Sequence, residues 1–271
     1  MGEEKEMSFL AHLEELRWHL VRSVVAILIV AIVLFTFIGY VYEDFLLAHL
    51  KPDFITYRLF CDLFTYFGME SDFCNVSLDN NLIAIKVTQQ LMDSIWTSFI
   101  LGIIITFPYI LWEIWRFISP GLHEKELKKS RGFIFIASLL FFIGVLFSYY
   151  VIAPVSINFL YNYQITPLIE NQFTMDSHVG LVTNMLLGVS IMFELPVIIY
   201  FLTKIGLITP KFLKRYRKHA LVVVLILAAI ITPPDVASQV IVAIPVLVLY
   251  EISIKVSRRV IKRQQKNANK Y

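Results

Sequence analysis

The 271-residue sequence contains no Gly-x-Ser-x-Gly, no His-Glu-x-x-His and no ATP-binding loop, and its long apolar runs hold no central histidine. Nucleophile-base chemistry and metal-assisted hydrolysis therefore have nothing to work with, and the chain is expected to be no enzyme, with no cofactor and no metal. Charge is also scarce. Only 17% of residues are charged while 58% are hydrophobic, against about a quarter charged in an ordinary soluble domain. With a mean hydropathy of +0.70, the composition is that of a polytopic membrane protein. No cleavable signal peptide is visible: the first apolar run, Leu20 to Tyr42, is too long for an h-region and lacks a small-residue cleavage site. It is expected to stay in the membrane as a signal anchor.

Residues 9 to 20 repeat Phe9, Leu13, Leu16 and Leu20 at helical spacing behind Ser8, a good N-cap. The spacing predicts a short amphipathic helix on the membrane surface whose polar side carries His12, Glu15 and His19. Those three could approach a metal, but a solvated interfacial face is the expected reading. Apolar runs then predict all-α architecture with spans at about 20–42, 95–118, 132–152, 179–203, 219–232 and 236–254, an extended outer loop at 43–94 and a basic tail at 255–271. The whole chain reads as a single membrane domain. The fifth run, Ala220 to Ile231, gives only about 18 Å of helix against a hydrocarbon core of about 30 Å, so taken alone it could be re-entrant.

Charge placement favours six spans. With both termini cytoplasmic, every Lys and Arg falls on the inner side except Lys51, Arg58 and Lys86. A five-span arrangement would put the basic tail outside. Spans five and six are short, and Pro245 kinks the last.

Glu194 stands out, because it lies inside the apolar run from Val179 to Thr203. A carboxylate there costs roughly 2.5 to 3.5 kcal/mol on insertion scales and needs compensation from a bundle interior or a partner. Pro196, two residues on, leaves the carbonyl of Met192 without its helical donor and predicts a kink beside the charge. Glu194 is then either a neutral, hydrogen-bonded group within its own bundle or a site that meets a partner helix or substrate.

Four stretches together resemble one family. His12-Leu13-Glu14-Glu15-Leu16-Arg17, Trp115-Arg116-Phe117-Ile118-Ser119-Pro120-Gly121-Leu122 followed by Glu126, Phe193-Glu194-Leu195-Pro196-Val197, and Thr232-Pro233-Pro234-Asp235-Val236-Ala237-Ser238-Gln239 are similar to the signatures of TatC, the multispanning core of the twin-arginine protein translocase. The resemblance implies export of folded proteins across the bacterial cytoplasmic (inner) membrane, driven by the proton-motive force. It implies TatA-type and TatB-type single-span partners, twin-arginine precursor proteins, self-association and contact with membrane lipid; nucleic acid is not expected. By motif, Glu15 and Glu126 match the family's signal-peptide glutamates and Phe117 an aromatic beside them, with Arg17, Pro120 and Leu122 in the same patch. Glu194 and Pro196, with Asp235 and Gln239, are the expected partner-docking positions.

Two carboxylates suit two guanidinium groups, since each offers planar acceptors for forked hydrogen bonds. Lys125, Lys128, Lys129 and Arg131 in the same loop are accounted for by topology alone. The chain departs from the family at Ala48-His49-Leu50, where proline is common, and at His19, where a second arginine is usual. The competing function is a secondary transporter with Glu194 as proton or ion site, although no inverted halves with paired broken helices are apparent. Cys61 and Cys74 fall on the outer side, where they either form a disulfide or remain buried thiols.

Overall fold

A computed structural model of the chain describes residues 9–68, 74, 82–118, 130–166, 168, 169, 171–232 and 236–268. Among these residues the secondary structure is helical, apart from an isolated parallel bridge between Ile83 and Thr174. The principal helices are α1 Phe9–Thr36, α2 Ile55–Tyr66, α3 Gln89–Ile118, α4 Ser130–Phe147, α5 Ala153–Asn162, α6 Met175–Phe193, α7 Leu195–Lys204, α8 Pro210–Arg215, α9 Arg217–Ile231 and α10 Val236–Ala268. Among the described residues, five stretches are long and apolar enough to cross a membrane: Leu13–Thr36, Gln89–Ile118, Ile134–Asn162, Met175–Lys204 and Ser238–Lys266. Helix α9, at 15 residues, is about 22 Å long and falls short by length. The expected surface helix and first span are one continuous rod, because nothing from Phe9 to Thr36 breaks the helical pattern.

The chain divides into two compact units, Met1–Gly39 with Leu91–Leu139, and Tyr40–Gln90 with Leu140–Tyr271. In the first, α1 meets α3 at Gly102, where any Cβ would lie 3.1 Å from the carbonyl oxygen of Ile27. A bare backbone there permits the close approach that helices use in place of a hydrophobic drive inside lipid.

The second unit is joined by small and polar residues in the same way. A Cβ at Gly144 would sit 2.8 Å from the Cα of Ser190, and one at Gly188 would strike the side chain of Ile231. Ser156 and Ser238 hydroxyls lie 2.5 Å apart, and Thr203 donates to Ser257 at 2.9 Å. An apolar cluster of Ile199, Leu213, Tyr250 and Ile254 holds α7, α8 and α10 together, with the Tyr250 hydroxyl donating to the carbonyl of Leu213 at 2.8 Å.

A cap at the other end of this unit forms around the backbone that one proline, Pro154, disrupts. Between α4 and α5 the chain widens to a π turn over Ser148–Ile152. Pro154 has no N-H, so the carbonyl of Tyr150 loses its α-type donor and that of Tyr149 its π-type donor. Thr56 donates to Tyr150 at 2.6 Å, and His49 Nε2 donates to Tyr149 at 2.9 Å. The second histidine, His178, donates from Nε2 to Leu46 at 3.2 Å while its Nδ1 accepts from the Tyr161 hydroxyl at 3.0 Å. Helix α2 lies in the stretch expected to be a polar outer loop. It folds because Phe54 and Tyr57 bury their rings beside His49 and Tyr149, and Cys61 midway along it is disulfide-bonded to Cys74.

Burial lowers the pKa of His49 from its ordinary 6.5, while the carbonyls of Tyr149 and Leu46 pull weakly the other way. A base whose folded pKa lies below its unfolded value contributes stability that is complete above the unfolded value and is lost as pH falls below it. Stability to thermal unfolding in detergent should therefore fall as pH drops below about 6.5. His49→Gln should flatten that part of the profile.

Candidate functional site

Helix α1 carries Glu15, Trp18, His19 and Arg22 to a cleft of about 490 Å³, which α3 closes with Arg116. Glu15 and His19 are one turn apart and so share a face of α1. The larger cleft, about 550 Å³ between α6 and α9, is lined by leucines and isoleucines with Asn184 and Thr232 as polar groups and holds no titratable side chain. Of these two clefts, only the first is lined by charged side chains.

At the base of the first cleft, His19 is 7% and Glu113 1% exposed. Nδ1 of His19 donates to Oε2 of Glu113 at 2.5 Å. The other carboxylate oxygen accepts from the Tyr109 hydroxyl at 3.0 Å and faces Arg116 Nη1 at 3.5 Å. Tyr109 and Arg116 lie four before and three after Glu113, the spacings that bring helix side chains together. His19 is the contribution from α1. This corrects the expectation that His19 belongs to a solvated face: the ring is turned inward because a buried carboxylate requires a donor.

The carboxylate of Glu15 is different. Its Oε2 is buried and has no hydrogen-bond partner. Arg17 points elsewhere, 3.8 Å from Glu14 and stacked 5.7 Å from the Trp18 ring centre. Phe117 approaches His19 edge-on with ring centres 6.3 Å apart. Pro120, Leu122 and Glu126 lie outside the described residues.

In the second unit, Glu194 is 7% exposed and is the hinge residue itself: α6 stops at Phe193 and α7 begins at Leu195. Its carbonyl accepts from Val197 at 2.9 Å and Ile198 at 3.0 Å, restarting the helix behind Pro196. The kink expected from Pro196 is thus present, and Oε1 of Glu194 is buried without a partner. Gln239 donates to the carbonyl of Leu225 at 3.0 Å, tying α10 to α9. Asp235 lies outside the described residues.

The family described as Sec-independent protein translocase protein (TatC) matches residues 11–245. The chain belongs to the TatC family. It is 41% identical over 264 residues to the TatC of Blattabacterium sp. subsp. Periplaneta americana, covering 97% of this chain and 99% of that protein. With TatCy of Bacillus subtilis it shares 33% over 263 residues, 97% of this chain and 93% of the other. The crystal structure of a twin arginine translocase receptor, TatC, superposes with a TM-score of 0.69 at 33% identity, covering 92% of this chain and 99% of that one. As a TatC-family protein the chain is a membrane-embedded protein translocase component and not an enzyme.

Glu113 is the residue that motif matching missed. A usable signal was present in Glu113 itself: a glutamate inside an apolar run demands a buried donor, although the sequence does not say which residue supplies it. His19→Met leaves the Glu113 charge without its cross-helix donor, and breaking one side of such a buried pair typically costs about 3 to 5 kcal/mol. The apolar pair His19→Met/Glu113→Leu should recover most of that loss. Thermal unfolding of both variants in detergent checks it, and a double variant as unstable as the single one would speak against a buried charge pair.

Proposed function

We propose that this TatC-family protein binds the arginine pair of export signal peptides through Glu15 and Glu126, with Phe117, Arg17, Pro120 and Leu122 around them. The observation that supports this best is the buried, unpartnered Oε2 of Glu15 in the cleft beside α3. A desolvated carboxylate oxygen with no donor is costly, and an incoming guanidinium supplies what it lacks. The reading includes six spans with both termini in the cytoplasm, α9 being the short fifth, and an outer face that bears the Cys61–Cys74 disulfide. It includes the inner membrane of a bacterium as location and the proton-motive force as energy source.

TatA-type and TatB-type single-span helices would dock at Glu194 and Pro196, with Asp235 and Gln239 forming a second contact. Support comes from Oε1 of Glu194, which is buried at a helix break and has no donor of its own. A polar group on an incoming helix would satisfy it.

Binding of synthetic signal peptides to purified protein tests recognition. A charge-assisted hydrogen bond contributes about 1.5 to 3 kcal/mol, so Glu15→Ala and Glu126→Ala should each weaken an Arg-Arg peptide about tenfold or more. A Lys-Lys peptide should bind wild type poorly despite equal charge, because an ammonium cannot make the forked contact. Equal binding of the two peptides would refute the assignment. For docking, Glu194→Ala should reduce cross-linking to co-purified single-span proteins while leaving peptide affinity intact, and Glu194→Gln should retain most of it. Solute or proton uptake by vesicles holding this protein alone would instead favour a carrier built on Glu194.

A further inference from the structure

We propose that His19 and Glu113 are positioning residues for signal recognition: their bond fixes the rotation of α1 about its axis and so aims Glu15 into the cleft. This rests on the recognition reading above. Helix α1 has little else to hold its rotation, since only 11% of its most apolar window is buried and Trp18 and Leu20 are 53% and 60% exposed. A rod packed so sparsely can roll, and each residue of register corresponds to about 100° around the axis.

The bond sits where it controls the roll. His19 lies one turn beyond Glu15 on the same face, and its Nδ1 is 2.5 Å from Glu113 Oε2. Glu113 is itself held by Tyr109 at 3.0 Å and Arg116 at 3.5 Å, both on its own helix. The anchor is therefore set by α3 and read by α1. Gly102 brings the two helices close further along, at Ile27 and Ala31, but a glycine contact carries no directional bond.

The consequence concerns selectivity more than attraction. A Glu15 that is free to swing still attracts positive charge, yet it no longer presents its two oxygens in the plane a guanidinium fork requires. Loss of the pair should weaken the Arg-Arg peptide while changing the Lys-Lys peptide little. A general loss of structure would weaken both alike.

The experiment measures Arg-Arg and Lys-Lys peptide affinity for wild type, Glu15→Ala, His19→Gln, His19→Met and His19→Met/Glu113→Leu, in detergent-purified full chain. Glutamine keeps a donor for Glu113, methionine keeps bulk without one, and the apolar pair leaves no buried charge to unfold the protein. We expect His19→Gln to bind within a few-fold of wild type. His19→Met and the apolar pair should each lose about tenfold for Arg-Arg, the loss of one charge-assisted hydrogen bond's worth of positioning, with Lys-Lys little changed. Unaltered Arg-Arg affinity in the apolar pair, or parallel losses for both peptides, overturns the positioning role while a weakened Glu15→Ala leaves the recognition reading standing. If Glu15→Ala binds Arg-Arg as wild type does, recognition by Glu15 falls and the positioning role with it.

Discussion

A backbone carbonyl that loses its helical donor inside lipid has no water to turn to, and the structure depends on where each such carbonyl finds another. Pro154 frees two, on Tyr149 and Tyr150, and the chain answers with His49 and Thr56. These donors come from a segment far away in sequence, so the cap of the second unit is built by the need to satisfy one proline. The aromatic packing of Phe54, Tyr57 and Tyr149 then follows, since it surrounds and dries the same bonds. Drying in turn favours the neutral histidine and strengthens the remaining hydrogen bonds.

Two buried glutamates, Glu113 and Glu194, show the same constraint with opposite outcomes. Glu113 is saturated: one oxygen takes His19 and the other takes Tyr109 and Arg116. Such a group is a structural anchor, because an arriving ligand would have to displace an existing donor. Glu194 keeps a buried oxygen with no donor and sits at a break between two helices, where the backbone is already released from a continuous ladder. An unsatisfied acceptor at a hinge is costly in isolation and is relieved only by a partner or a proton. Glu15, with its own unpartnered oxygen beside the anchored pair, belongs with Glu194 in this respect.

Much of this was legible from residues alone. Pro196 marked the kink at Glu194, and the dozen apolar residues from Ala220 marked a helix too short for an ordinary span, observed as Arg217–Ile231. The burial of His19 was not legible, because a histidine at i+4 from a glutamate on a polar-looking face reads the same whether it meets water or a carboxylate from another helix. Helix α2 was hidden for a related reason: Ile55 to Tyr66 sits among polar residues and has no strong cap, and what stabilises it is Tyr57, wholly buried and bonded to the carbonyl of His49 at 2.9 Å. Periodicity reports a face and cannot report which distant segment will cover it.

The shortness of α9 has a mechanical consequence under the six-span reading. A short helix can sometimes slide along its neighbours to centre itself in the bilayer. Here its end is pinned, since Ile231 fills the space above Gly188 on α6 and the carbonyl of Leu225 is held by Gln239 of α10. Thr232 closes the last turn by donating to Ala228 at 2.9 Å. With position fixed and a length of about 22 Å against a hydrocarbon core of about 30 Å, the mismatch cannot be absorbed by the helix. Under that reading it falls on the lipid, which would thin beside α9, next to the bond that joins it to α10.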